Sequence, residues 1–361
     1  MPPADLPDRG VLVLVTGTGR SGTSTIAGSL HHLGLEVPGP FLGANDSNPK
    51  GFFESKWAVR FHKRIASGAG IHDMDSRPGA LERAHEATTP EMRAELVGFL
   101  RKRCAGHRQV VVKDPRSVWA QQLWREAAAE VGLEIRYLSM LRHPAEVIGS
   151  RSAYYATQTD EAQRHRYEIF NVARWVNNSL ISERETRGQH RTFVRYTDLL
   201  EDWRPALEKV ATELGLSYTG DLTPGTRHPV DDFIDPDLRR VRVTWDDLDV
   251  PDDLVEIAQG IWDQLMVLHA AGGADESASA ELDALAARYD RLFAAAAAIS
   301  HDAVEEARAE ARAAGAREAT RPETPTAATG RLVEETGGRD LLRVVVERAA
   351  GRLPGRRRGR A

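Results

Sequence analysis

The sequence is poor in cysteine: Cys104 is the only one in 361 residues. It cannot form an internal disulfide, and it argues against a thiolate metal site and fits a reducing cytoplasm. No stretch approaches the roughly 18 apolar residues of a membrane span. The first ten residues, MPPADLPDRG, lack the basic start and apolar centre of a secretion signal. A strong charge of either sign is also missing. The formal net charge is −5, so no global field draws the chain to nucleic acid or to a membrane surface. No internal repeat is visible. A soluble, cytoplasmic protein is expected, with 41% hydrophobic and 28% charged residues, an ordinary globular composition.

The apolar residues are organised in short runs. Val11–Val15 is continuous and ends in Gly17 two residues later, the pattern of a parallel strand buried on both faces. Similar runs are Gln109–Val112 before KDPR, Ile135–Leu141 before RHP, and Thr192–Tyr196 before TDLL. Helical spacing separates them: Ile26, Leu30 and Leu33 before Gly34, then Ser117–Glu130, then a long stretch around Arg166–Glu185. Strand–helix alternation predicts an α/β fold, a three-layer parallel sheet flanked by helices. In such sheets ligands bind beyond the carboxyl ends of the strands. GTGRSGTS, KDPR, LRH and RYTD all fall there.

From Pro251 onward only helical stripes remain, first Leu254, Ile257, Ile261, Leu265 and Leu268, then Leu282, Leu285, Tyr289 and Leu292. A domain over residues 8–298 is expected, followed by a helical to flexible C-terminal extension over 299–361. The extension contains an alanine- and charge-rich stretch, a Pro/Thr segment, a helix candidate DLLRVVVERAA, and five arginines between Arg352 and Arg360. Those arginines read as a solvated end or as a contact for an anionic partner or membrane surface.

The loop GTGRSGTS (Gly17–Ser24) has the glycine spacing of an ATP-binding phosphate loop, but Thr23 stands where that loop has lysine. A strand–loop–helix junction directs backbone N–H groups and a helix dipole at an anion. Gly17, Gly19 and Gly22 allow close approach, and Ser21, Thr23, Ser24 and Thr25 add hydroxyls. Thr23 cannot supply the missing cation. Arg20 offers its planar fork from the other side of the loop.

Arg20-Ser21-Gly22-Thr23-Ser24 after a buried strand resembles the 5′-phosphosulfate loop of sulfotransferases that use 3′-phosphoadenosine 5′-phosphosulfate (PAPS). The family also holds the 3′-phosphate with a strand-end arginine and a serine eight residues on. Arg142 and Ser150 have that spacing. The resemblance covers roughly residues 10–245 and implies a P-loop-like fold, PAPS as donor, 3′,5′-adenosine bisphosphate (PAP) as product, and no metal. It brings Tyr196 near the adenine, although a core position is equally open, and points to Arg239 or Arg240 for a phosphate.

Sulfonate transfer needs a base for the acceptor hydroxyl and a cation for the leaving oxygen. Lys113 matches the family's strand-end lysine. The histidine that follows two residues later in cytosolic members is Pro115 here, so the base must come from elsewhere. Glu54, in NPKGFFES, resembles the catalytic glutamate of carbohydrate-, protein-tyrosine- and trehalose-modifying members. A helix N-terminal role is the alternative for Glu54, and His62 is the alternative base.

The expected activity is sulfonate transfer to a hydroxyl of a small molecule or glycan: a carbohydrate, a glycosylated metabolite or a lipid. Nucleic acid is not expected as a partner, while a tail-mediated partner or a homo-oligomer is left open. The competing readings are an ATP-dependent phosphotransferase and a non-catalytic nucleotide-binding interaction protein.

Overall fold

The computed structural model describes residues 10–45, 48–155, 160–235 and 242–319. Four parallel strands form its sheet: β1 (Val11–Thr16), β2 (Gln109–Lys113), β3 (Glu134–Leu141) and β4 (Arg191–Arg195), in the order β2-β1-β3-β4. The helices are α1 (Thr23–His32), α2 (Lys56–Gly68), α3 (Ala80–Glu86), α4 (Pro90–Arg103), α5 (Gln121–Glu130), α6 (Pro144–Tyr155) and α7 (Glu161–Thr186). They continue as α8 (Tyr196–Glu201), α9 (Trp203–Leu214), α10 (Pro229–Phe233), α11 (Asp252–Ala270), α12 (Glu276–Ile299) and α13 (His301–Ala319).

The central strand explains the layering. All of β1 is buried, and successive side chains point to opposite faces. Leu12 and Leu14 pack with Phe61, Ile65, Leu96, Trp119 and Trp124 on one side. Val11, Val13 and Val15 pack with Ile26, Leu30, Leu207 and Val210 on the other. The continuous apolar run is therefore a requirement of burial on both faces. A third apolar cluster joins Leu141, Val147 and Trp175 to the stripes of α11 and α12, through Leu254, Ile261, Leu282 and Tyr289.

Capping follows local chemistry. Thr89 accepts a hydrogen bond from Met92 N ahead of Pro90 at the start of α4, and Asp160 accepts from Ala162 N at the start of α7. Gly215, at φ 53°, ends α9, where a left-handed residue closes the last turn.

The structure corrects some boundaries. Ser117 lies in a 3-10 segment, Pro115–Ala120, because Asp114 caps it by accepting from Arg116 N; the α-helix starts only at Gln121. Tyr196 is the first residue of α8, and β4 stops at Arg195.

The chain divides into two units, Met1–Ala298 and Ile299–Ala361. In the second, α13 is exposed along nearly all of its described length, as its alanine- and charge-rich sequence requires. Arg239, Arg240, DLLRVVVERAA and the C-terminal arginines lie outside the described residues. Among the described residues, no helix is long and apolar enough to cross a membrane.

Candidate functional site

The strand order places the functional segments together. From β1 the chain goes to one neighbour, β2, and then crosses to the other, β3. Ligands bind at the carboxyl ends of strands where the order reverses in this way. At that edge Val15 is level with Lys113, and Thr16 is level with Ser139. Thr16 Oγ1 and Ser139 Oγ share a hydrogen bond of 2.6 Å.

The loop after β1 is shaped by glycine. Gly17 has φ 112°, and a Cβ there would stand 2.7 Å from Met140 O. Gly22 has φ 90°, and a Cβ would stand 2.2 Å from Tyr196 Cδ2. Between them Arg20 has φ 76°, a left-handed conformation that costs a non-glycine residue energy and that concentrates at functional sites. No side chain caps α1 at Gly22, so the first-turn N–H groups point out of the helix without a side-chain acceptor. That is the arrangement an anion fills.

Arg20 turns toward the exit of β3. Its Nε donates to Ser150 Oγ at 3.1 Å. Arg142 Nη1 donates to Arg20 O at 3.1 Å, and Arg142 Nε to Glu146 Oε2 at 3.0 Å. The Arg142 guanidinium lies 5.1 Å from the centroid of the Tyr196 ring. Tyr196 is 5% exposed and presses against Gly22, so it forms a wall behind the loop. Burial pushes its phenol up, with Arg142 and a hydrogen bond to Thr25 opposing.

The other half of the site is a carboxylate held by two cations. Lys113 Nζ donates to Glu54 Oε1 at 2.6 Å and to Ser24 Oγ at 3.0 Å. Arg116 Nη2 donates to Glu54 Oε2 at 2.9 Å. Glu54 is 5% exposed and Lys113 2%.

The segment carrying Glu54 is anchored locally. Leu42 N donates to Glu54 O at 2.9 Å, and Lys56 N to Pro40 O at 2.9 Å. Phe53, at φ 52°, sends its ring against Phe41 and Phe233, with centroids 6.1 and 5.5 Å away. The carboxylate thus leaves a braced turn just before Ser55, the N-cap of α2.

Arg116 is the residue that sequence reasoning left without a role. Besides Glu54, it pairs with Asp114 at 2.9 Å and Asp73 at 3.3 Å. Asp114 is fully buried and accepts from His62 Nδ1 at 2.8 Å. Trp124 Nε1 donates to His62 Nε2 at 2.8 Å, so the His62 proton is on Nδ1. Burial works against the Asp114 anion, but His62 and Arg116 hold its carboxyl down to about 2. The adjacency of Asp114 and Arg116 was readable; the 62-residue link to Glu54 was not.

A cavity of about 500 Å³ joins the two halves, in the ordinary range for small-ligand sites. Gly19, Arg20, Gly22, Thr23, Ser24, Glu54, Lys113, Arg142, Ser150 and Tyr196 all line it, together with Lys63, Asp73, Arg116 and Arg151. Two of the candidate residues stand apart from it. Ser21 does not line it: its hydroxyl shares a 2.6 Å hydrogen bond with Thr18 Oγ1, and its N–H donates to Thr18 O at 3.2 Å. His62 is 1% exposed, faces the core, and has both ring nitrogens engaged. It does not share the Glu54 face.

The sequence matches the Sulfotransferase family over residues 13–220. Among solved structures, the sulfotransferase domain from the Synechococcus PCC 7002 olefin synthase has 17% identity and a TM-score of 0.39, over 70% of this chain and 96% of its own. The sulfotransferase domain from the curacin biosynthetic pathway has 18% identity and a TM-score of 0.40, over 71% of this chain and 98% of its own. No curated protein matches the chain.

Proposed function

The chain belongs to the sulfotransferase family, and we propose that it transfers a sulfonate group from PAPS to the hydroxyl of a small-molecule or glycan acceptor. The observation that carries this is the pairing of Lys113 with Glu54 at 2.6 Å in the same cavity as Arg20, Arg142 and Ser150. A base, a cation and an anion cradle share one pocket, and Thr23 leaves the loop without the lysine that ATP chemistry uses.

PAPS supplies an activated sulfonate: its sulfur–oxygen bond to phosphate breaks as the bond to the acceptor oxygen forms. The remaining work falls to this chain. The α1 N-terminus, Gly22, Thr23, Ser24 and Arg20 hold the 5′ anion. Arg142 and Ser150 hold the 3′-phosphate, and Tyr196 braces both the loop and Arg142. Glu54 takes the acceptor proton at its carboxylate, and Lys113 neutralises charge on the departing oxygen. Arg116 keeps Glu54 Oε2 occupied, which leaves Oε1 as the proton acceptor once Lys113 turns to the donor.

Calorimetric titration of the full chain tests the nucleotide assignment. PAP is expected to bind more tightly than ATP–Mg²⁺. The reverse order would favour a phosphotransferase and overturn the proposal.

A further inference from the structure

Arg151, on α6, lines the cavity, and Arg174 lies on α7 behind it; neither has a part in the chemistry above. Arg151 Nε donates to Asn171 Oδ1 at 2.8 Å, and its Nη1 lies 3.5 Å from Met74 Sδ. The phosphate loop is adjacent, since a Cβ on Gly19 would stand 3.8 Å from Arg151 Nη1. Arg174 follows Asn171 by three residues on α7, so the two share a helix face. Asn171 thereby holds Arg151 against the face of α7 that also carries Arg174, and the like charge of Arg151 is felt there.

Among the described residues Arg174 has no counter-ion. It is half-buried and stacks over Phe170, 4.5 Å from the ring centroid. Its guanidinium makes no ion pair or hydrogen bond among the described residues. Asp75 acts on it from a distance, but both Asp75 oxygens are taken. Oδ1 accepts from Arg77 N at 2.9 Å and Arg77 Nε at 2.8 Å. Oδ2 accepts from His72 N at 2.9 Å and Arg77 Nη2 at 2.6 Å. Burial, and then the like charge of Arg151, lower the pKa of Arg174. A half-buried guanidinium with no carboxylate among the described residues, under the like charge of a second, is costly unless an anion joins them.

We propose that Arg151 and Arg174 form an anion subsite that receives a carboxylate, phosphate or sulfate group carried by the acceptor. The inference rests on the sulfotransferase reading. It places the acceptor hydroxyl at Glu54 and Lys113, and the acceptor's anionic group on the α6–α7 flank. The exposed ring of Phe170, 38% accessible, offers an apolar surface beside it.

The test uses the full chain saturated with PAP, so that the donor positions are filled, and inorganic phosphate as the probe. Wild-type protein is expected to bind phosphate, R174Q about tenfold more weakly, and R174K with partial recovery. PAP affinity and the melting temperature are expected to be the same in all three. A parallel arm fractionates host extract on an anion exchanger and supplies each fraction with labelled PAPS. Acceptor activity is expected in the retained, anionic fraction, with R174Q raising KM and leaving kcat unchanged.

Equal phosphate binding by R174Q and wild type would overturn the subsite, as would no phosphate binding to the PAP-saturated protein. Loss of PAP affinity in R174Q would assign the pair to the donor instead. Acceptor activity confined to the unretained fraction would also contradict it. Failure of wild-type protein to bind PAP at all would remove the sulfotransferase reading, and the subsite with it.

Discussion

Glu54 and Lys113 form an ion pair of 2.6 Å between side chains only 7% and 2% exposed, although 59 residues separate them in sequence. The pair exists because β2 runs level with β1, which places Lys113 beside the glycine-rich loop that follows β1. The braced turn before α2 then delivers Glu54 to the same point. A carboxylate and an ammonium so shielded interact strongly but lose hydration. Their position at a cavity wall fits a functional pair that a ligand can separate.

Removing the proton acceptor should stop chemistry and spare binding. Glu54→Gln is expected to lower kcat by about a hundredfold or more, with PAP affinity nearly unchanged in calorimetry. A near-normal rate would take the base role away from Glu54. His62 would not inherit it, since Asp114 and Trp124 already occupy its ring nitrogens.

Arg142 should read one end of the nucleotide. Arg142→Ala is expected to weaken PAP by about 2 kcal/mol, roughly thirtyfold. Adenosine 5′-phosphosulfate has no 3′-phosphate and should lose much less. Equal losses for the two ligands would mean that Arg142 acts only through the Arg20 carbonyl, which it holds at 3.1 Å.

Asp114 is expected to position Arg116 and, through it, Glu54. Asp114→Asn should lower kcat with little change in the donor KM, and Asp114→Glu should not restore it, because the site is fully buried. The same residue links stability to pH. Its carboxyl is depressed to about 2 in the folded chain, so its contribution is complete above the ordinary carboxylate range near 4. The contribution is lost as pH falls from about 4 toward about 2. Urea unfolding should show wild type ahead of Asp114→Asn by roughly 2–5 kcal/mol at pH 7. That lead should shrink across the acid window; a constant lead would contradict the linkage.

Gly22 should tolerate no side chain. Gly22→Ala would bring a Cβ within 2.2 Å of Tyr196 at φ 90°. The expected cost is about 2–4 kcal/mol of stability, together with loss of PAP binding. The compensating variant Gly22→Ala/Tyr196→Ala should recover part of the stability and little of the binding, because the ring wall behind the loop is gone.

The parts of this site that were readable in sequence are those built by local physics. The glycines and hydroxyls of Gly17–Ser24 mark an anion loop wherever a buried strand feeds a helix. Arg142 and Ser150, just after β3 and on α6, were singled out by the family resemblance and not by local physics. The helices beyond Pro251 were readable because their apolar stripes have one period.

Other features depend on tertiary placement. Ser21 carries the right hydroxyl for a cradle, but the left-handed turn at Arg20 sends it back to Thr18. His62 follows Glu54 by eight residues, yet Glu54 precedes the helix, so helical spacing does not relate their faces. Val59 and Lys63 line the cavity from α2 instead. Arg116 gathers Glu54, Asp73 and Asp114, and no pattern in KDPR announces partners that lie 62 and 43 residues away.

The most direct measurement is transfer itself. The purified 361-residue chain is incubated with ³⁵S-labelled PAPS and host extract, and labelled products are separated from free sulfate. Label should move to a discrete hydroxyl-bearing acceptor with one PAP released per sulfonate transferred, and Glu54→Gln should abolish it. Tight PAP binding with no label transferred to any acceptor would contradict the account and leave a nucleotide-binding protein without this catalysis.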